Sequence, residues 1–100
     1  MAFRLKFSAR ALRETGEAHD WYESQSAGLG EEFLVATELQ LKRLEQAPLL
    51  YGEVIAGVRR ALLPRFPYSV FYAVRIDLVH VLAVIHNARS QRRWPKAKPG

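Results

Sequence analysis

The chain has 100 residues, of which 49% are apolar and 25% are charged, and it contains no cysteine. This size and composition are typical of one soluble folded domain with a modest core. The lack of cysteine excludes disulfides, thiolate metal sites and a cysteine nucleophile. We find no apolar run long enough for a signal peptide or a membrane span, so the expected location is the cytoplasm.

Charge is divided unequally between the two halves of the sequence. Residues 1–53 carry six Lys or Arg against nine Asp or Glu, a net charge of −3. Residues 54–100 carry nine Lys or Arg against one acid, a net charge of +8. This asymmetry predicts a basic face built by the second half, which would concentrate nucleic acid or an acidic protein surface. A generally basic protein with a solvated tail is the alternative interpretation.

The first third of the chain predicts a short strand followed by a helix. Apolar Phe3, Leu5 and Phe7 alternate with polar residues, which is the period of a strand with one buried face. Ser8 suits the N-cap of a helix that runs from Ala9 to about Gln25. Leu12, Gly16, His19 and Tyr22 recur along it at roughly helical spacing, with Trp21 beside them.

A second helix is predicted from about Glu31 to Gln46, after a small-residue loop with two glycines. Acidic residues occupy its first turn and basic residues its last turn, as the helix dipole favours. Pro48 ends it. The expected buried stripe of this helix is Phe33, Thr37, Leu41 and Leu44. The two helices should form an antiparallel hairpin.

The second half changes to strand patterns. Residues 54–66 mix apolar and basic side chains, and Pro64 and Pro67 should bend the chain before the next strand. Residues 68–76 and 78–85 are rich in aromatic and β-branched residues, with a tight turn at Asp77. The tail from about residue 91 should lie over the surface or fray. We therefore predict one α+β domain over residues 1–100, in which an N-terminal strand, a helical hairpin and a three-stranded antiparallel block form a small sheet.

The only concentration of chemically useful side chains follows the last predicted strand. His19, His80 and His86 lie on different elements without the spacing of metal ligands, so we expect neither a metal site nor a cofactor. His86 and Arg89, with Arg92, Arg93 and Trp94 after them, combine a titratable ring, guanidinium groups and a stacking surface. This set suits contact with phosphodiesters, although a structural strand end with a soluble tail is at least as good an interpretation.

Three segments resemble the RelE/ParE toxin superfamily, and the ParE-like plasmid stabilization toxins most of all. They are Arg59-Arg60, the segment RFPYSVFY at 65–72 and the segment VLAVIHNAR at 81–89. The resemblance extends over about residues 3–94. It implies the RelE/ParE-like fold and the toxin half of a type II toxin–antitoxin pair, which arrests growth when it is not held by its cognate antitoxin. It also implies that operator DNA is contacted only through the antitoxin, and that no membrane is involved.

Two activities occur in this superfamily. RelE-like members cleave messenger RNA on the ribosome without a metal, and ParE-like members inhibit DNA gyrase. RelE-like nucleases carry an Arg directly after the Tyr of the middle strand, where this chain has Ser69. They also carry a catalytic Tyr or His after the last-strand Arg, where the nearby aromatic here is Trp94, which cannot act as a general acid or base. We therefore favour gyrase inhibition, in which the protein is not an enzyme.

The alternatives assign the candidate residues differently. A RelE-like, metal-independent endoribonuclease would use Arg60, His86 and Arg89, because such cleavage needs a proton acceptor and a cation. A third alternative is an inactive member that only binds its antitoxin. The residues expected to contact the target or the antitoxin are Arg59, Arg60, Arg65, Arg89, Arg92, Arg93 and Trp94.

Overall fold

The computed structural model describes residues 2–89 and confirms the predicted α+β architecture. Two helices and five strands follow one another along the chain, with a 3-10 turn at Pro48–Leu50. Their bounds are β1 Arg4–Phe7, α1 Ala9–Gln25, α2 Leu29–Gln46, β2 Glu53–Ile55, β3 Val58–Leu62, β4 Tyr68–Arg75 and β5 Leu78–His86. Residues 87–89 form a helical turn directly after β5. The tail predicted from about residue 91 lies outside the described residues.

The five strands form one mixed sheet in the order β1-β5-β4-β3-β2. The predicted antiparallel block corresponds to β3, β4 and β5. β1 lies parallel to β5, with Phe7 opposite Val81 at the end of the paired stretch. The short strand β2 was not expected, since three residues give too little periodicity to recognise. The turn between β4 and β5 is at Ile76 and Asp77, as the sequence predicts.

Both helices have the predicted positions, but only Tyr22 of the helically spaced residues in α1 is buried. The Ser8 hydroxyl accepts a hydrogen bond from Ala11 N at 2.9 Å, which confirms the N-cap of α1. The α2 stripe is confirmed, with Phe33 and Leu44 fully buried. In α1, Leu12 is 60% exposed, and the buried residues are Ala11, Ala18 and Tyr22. Alanine faces the sheet because a small side chain lets the helix approach it closely.

The main core lies between the helical hairpin and one face of the sheet, which we call the helix face. Four aromatic rings meet there with centroid separations of 4.9 to 6.0 Å: Tyr22, Phe33, Phe66 and Tyr68. Such edge-to-face and stacked pairs add to the stabilisation from apolar burial. Neither helix is long and apolar enough to cross a lipid bilayer, within the part of the chain that the structure describes.

A smaller apolar cluster lies on the opposite face of the sheet, which we call the outer face. Its buried members are Phe71, Ala83 and Ile85, with Val54 and Val58 packed against them. Among residues 2–89, no helix residue belongs to this cluster. The sheet therefore separates two environments, and successive strand residues reach them alternately. The alternation reverses once, at an irregularity in β5 opposite Phe71 and Tyr72, so that Val81 and Val84 both face the helices.

Candidate functional site

The predicted strand-end motif is divided between the two faces of the sheet. His86 is paired with Tyr68, whose ring belongs to the helix-face core. Asn87 is the next residue, and its side chain bonds to Ser69 on the outer face. Since successive side chains of a strand point to opposite faces, His86 and Asn87 serve different sites.

On the outer face, three side chains form a closed polar cluster at the sheet surface. Arg60 Nε donates to Ser69 Oγ at 2.9 Å, and Arg60 Nη2 donates to Asn87 Oδ1 at 3.3 Å. The Ser69 hydroxyl donates to Asn87 Oδ1 at 2.5 Å and is fully buried. Ser69 occupies the position at which RelE-like nucleases carry an arginine. This position therefore supplies no second guanidinium group, and its hydroxyl accepts a hydrogen bond from Arg60.

On the helix face, a groove with a volume of about 690 Å³ lies between α1 and the ends of β4 and β5. One wall is formed by α1, and the other by the strand ends and the helical turn after β5. The residues that line it are Glu14, Glu17, Ala18, Trp21, Tyr22, Pro67, Tyr68, Val84, Ile85, His86, Ala88 and Arg89. Rings form much of the surface, acids lie on the α1 side, and His86 and Arg89 lie on the strand side. The groove suits an amphipathic partner better than a uniformly charged one.

The His86 ring is fixed in this groove by two contacts. It lies edge-on to the Tyr68 ring at a centroid distance of 5.2 Å. Its Nδ1 accepts a hydrogen bond from Ala88 N at 3.0 Å. A neutral ring that accepts at Nδ1 carries its proton on Nε2, so in this geometry Nε2 is a donor.

Tyr22 is the groove tyrosine whose pKa is shifted by its surroundings. Burial, and to a smaller extent the neighbouring Tyr68, raise the pKa of Tyr22 above its ordinary value. Tyr22 therefore stays neutral near physiological pH and contributes its ring to the groove as uncharged surface. In residues 2–89, no three His, Asp or Glu side chains are grouped so as to hold a metal ion.

The other predicted arginines of β3 and the following loop make local contacts. Arg59 Nη1 donates to Tyr51 O at 2.5 Å, and Arg59 Nη2 lies 3.6 Å from Glu53. Arg65 Nη2 donates to Glu32 at 2.8 Å. Arg60 contacts other partners on the outer face, so these three arginines do not share one site.

The structure brings some of the predicted site residues together and keeps others apart. His86 and Arg89 share the groove on the helix face. Arg60 lies on the outer face, with the sheet between it and His86. Arg92, Arg93 and Trp94 lie outside the described residues. A proton acceptor and a cation that act on one phosphodiester must converge on it, and these three candidate catalytic residues do not converge on one face.

The sequence does not mark the α1 side of the groove. Glu14 Oε1 accepts a hydrogen bond from Val84 N in β5 at 2.9 Å, and Glu14 Oε2 accepts from Arg10 Nε at 2.9 Å. No local pattern marks Glu14, since its partner is 70 residues away. The large aromatic residue Trp21 is the member of this wall that the sequence could have suggested. In the structure this residue is 57% exposed, as is common for residues that contact a partner protein.

The chain is similar to known proteins in sequence and in fold. Residues 5–91 match the family described as "ParE toxin of type II toxin-antitoxin system, parDE". The fold is similar to that in a solved structure titled "Chromosomal ParDE TA system from P. aeruginosa", with a TM-score of 0.64 and 20% identity over 85% of this chain and 96% of that one. A comparison with curated proteins finds no match. Because the family match spans most of the chain and includes β1 to β5, the chain belongs to the ParE toxin family of type II toxin–antitoxin systems.

Proposed function

We propose that this toxin arrests growth by inhibiting DNA gyrase without catalysing a reaction of its own, and that its cognate antitoxin neutralises it by binding in the helix-face groove. One observation carries the choice of target. The residues that a metal-free ribonuclease would need, Arg60 and His86, lie on opposite faces of the sheet. Among residues 2–89, the three residues that a nuclease would use are therefore divided between two faces, and this favours a binding inhibitor.

The state of Arg60 supports the same proposal. Its guanidinium already bonds to Ser69 and Asn87, so contact with a phosphate would compete with two existing hydrogen bonds. The arginine that would reinforce it in a nuclease is replaced by Ser69, whose side chain is fully buried. Both features lower the capacity of the outer face to stabilise a pentacoordinate phosphate.

Titration of the purified toxin into a gyrase supercoiling assay tests the target. We expect dose-dependent loss of supercoiling. The variant Arg60→Ala should inhibit as the wild type does, whereas Trp94→Ala should weaken inhibition if the tail residues contact gyrase. Full supercoiling at a large excess of folded toxin would contradict the proposal.

A parallel experiment in cells separates the two family activities. Induction of the toxin alone, followed by pulse-labelling, should stop DNA synthesis before protein synthesis. If protein synthesis stops first and messenger RNAs are cut at codon positions, the nuclease alternative is correct, and Arg60, His86 and Arg89 become the residues to mutate. Normal growth on induction would instead indicate a member that only binds its antitoxin.

The groove supports the antitoxin half of the proposal. It combines an exposed aromatic side chain, Trp21, with basic Arg89 at one end and Glu17 on the opposite wall. Exposed aromatics in a groove are frequent anchors of protein–protein interfaces. The same proposal predicts that the toxin contacts operator DNA only through the antitoxin, so the toxin alone should not shift an operator fragment.

Calorimetric titration with the antitoxin tests the groove. Trp21→Ala should weaken binding by about tenfold or more, as for an interface anchor. Leu50→Ala is the matched control, because Leu50 is 79% exposed and lies away from the groove. Equal affinities of the two variants would place the antitoxin elsewhere on the toxin.

A further inference from the structure

Strand β5 is paired on one side over only the first half of its length. β1 covers it from Leu78 to Val81, and then the chain leaves the sheet at Ser8 to begin α1. From Leu82 to His86, no strand in residues 2–89 lies on that side of β5. The sheet thus has an open edge that lies inside the helix-face groove.

The direction of the backbone groups along this edge follows from the pairing with β4. Asn87 N donates to Pro67 O at 2.8 Å, so Asn87 turns its N–H towards β4. In an antiparallel pair, successive residues turn their N–H and C=O groups alternately towards and away from the partner. Val84 and His86 therefore turn theirs away from β4, into the groove.

Side chains already cap the part of this edge nearest to β1. The Ser8 hydroxyl donates to Leu82 O at 2.8 Å, and Glu14 accepts from Val84 N at 2.9 Å. The next groups along the edge are Val84 C=O and His86 N–H, for which residues 2–89 supply no hydrogen-bond partner. An acceptor–donor pair spaced in this way is what an added strand engages.

We propose that an extended segment of the antitoxin adds to β5 at this edge, bonding to Val84 C=O and His86 N–H. The inference rests on the proposed function, in which the antitoxin occupies the groove, and it specifies the mode of binding. The interior of a helix cannot supply these bonds from its backbone, because those groups are bonded within the helix. In the extended mode, alternate side chains of the segment pack on Trp21 and Tyr68, and an acidic one pairs with Arg89.

Two substitutions of His86 separate the contribution of its backbone N–H from that of its ring. His86→Ala keeps the N–H and removes the ring, whereas His86→Pro removes both. Neither removes a hydrogen bond to β4, because His86 N–H points away from that strand, and proline is tolerated on such an edge. We expect His86→Pro to bind the antitoxin about tenfold more weakly than His86→Ala, which corresponds to one hydrogen bond. Circular dichroism melting of both variants checks that they fold.

Amide hydrogen exchange of the wild-type toxin gives a second readout that does not depend on a variant. The His86 amide should exchange quickly in the free toxin and at least tenfold more slowly in the antitoxin complex. The Val84 amide is the internal control, since Glu14 protects it in both states.

The outcomes distinguish this inference from the function on which it rests. If the wild type does not bind the antitoxin, the proposed neutralisation fails. If it binds but the two variants have equal affinities, or the His86 amide keeps its exchange rate, strand addition is overturned. Protection of the His86 amide in the free toxin would also overturn strand addition by the antitoxin. The edge of β5 would then be occupied by residues 90–100, or by a second copy of the toxin if the protection depends on protein concentration.

Discussion

Two carboxylates of α1 bond to backbone N–H groups outside that helix. Glu14 accepts from Val84 N in β5, and Glu23 accepts from Gly28 N and Gly30 N at the start of α2, each at 2.9 Å. Gly28 is the N-cap residue of α2, and it has no side chain that could accept hydrogen bonds from the first turn. The Glu23 carboxylate therefore caps the N-terminus of α2, as the Ser8 hydroxyl caps that of α1. Charge-assisted bonds of this kind are stronger than neutral ones.

We predict that Glu23→Gln lowers stability in a pH-dependent way. The bonds from Gly28 and Gly30 hold the pKa of Glu23 below its ordinary value of 4.5. A lowered folded-state pKa means that the stabilisation is complete above the unfolded-state pKa and is lost as the pH falls towards the folded-state value. The melting temperature of the variant should therefore be lower at about pH 7, and the difference should shrink by about pH 3.

The control for this experiment is Glu38→Gln, which changes an exposed carboxylate on α2. Its melting temperature should stay close to that of the wild type at both pH values. A Glu23→Gln difference that is equal at both pH values would show that the carboxylate charge is not the cause.

Tyr72 joins the sheet to the 3-10 turn, and its loss should be costly. Its hydroxyl donates to Pro48 O at 2.6 Å, and the residue is fully buried. Tyr72→Phe leaves that carbonyl without its donor, which should reduce the free energy of unfolding by about 1–3 kcal/mol. Tyr51→Phe is the control, because the Tyr51 hydroxyl is 3.4 Å from its acceptor in Gln40 and should contribute less.

The same residue predicts an alkaline limit to stability. Burial raises the pKa of Tyr72 to about 12. Its contribution is then complete below the unfolded-state pKa of 10.0 and is lost as the pH rises through the folded-state value. Tyr72→Phe should therefore lose less stability than the wild type between about pH 9 and about pH 12, as measured by urea unfolding.

The helical hairpin depends on small residues where its helices meet. Gly30 at the start of α2 lies so close to α1 that an added Cβ would be 2.7 Å from His19 O. Gly16 in the middle of α1 has no atom within 4 Å of an added Cβ. One glycine is thus required by packing, and the other only weakens its helix.

Alanine substitutions at these two positions should have opposite effects. Gly16→Ala should stabilise the protein by about 1 kcal/mol, which is the difference between the two residues in helix propensity. Gly30→Ala should destabilise it by about 1–3 kcal/mol, because the helices must separate to admit the methyl group. Denaturant unfolding of both variants measures the two free energies. A stabilising Gly30→Ala would mean that α1 and α2 pack less closely than the structure has them.

The whole molecule presents its charges in several places. Of the described arginines in the second half, Arg59 and Arg65 pair with acids from other segments, and Arg60 bonds within the sheet surface. Four of the basic residues in this half, Arg92, Arg93, Lys96 and Lys98, belong to the tail outside the described residues. An acidic antitoxin segment in the groove would meet Arg89.

Binding of the antitoxin should raise the stability of the toxin as a whole. A partner that binds only the folded state stabilises it by about 2.7 kcal/mol at a concentration of 100 times its dissociation constant. For a domain of this size, that corresponds to an increase in melting temperature of about 10 °C or more. Calorimetry of the toxin with and without antitoxin measures it, and equal melting temperatures would contradict antitoxin binding to the folded domain.

Local sequence determined the elements of this protein and its family. The α1 cap at Ser8, the α2 stripe and the turn at Asp77 are short-range features, and the structure confirms all three. The family is shown over residues 5–91, which include all three segments that carried the resemblance. These features could be read because capping, helical spacing and strand composition each act within a few residues.

The tertiary structure alone decided how these elements build a site. The parallel position of β1 beside half of β5, the bond from Val84 to Glu14, and the separation of Arg60 from His86 all join distant parts of the chain. These contacts depend on the order of the strands in the sheet and on which side of α1 faces the sheet. Neither is encoded in a local sequence pattern. Ala11 and Leu12 illustrate the reason. Both are apolar and both fit a helical spacing, but packing against the sheet buries Ala11 and leaves Leu12 exposed.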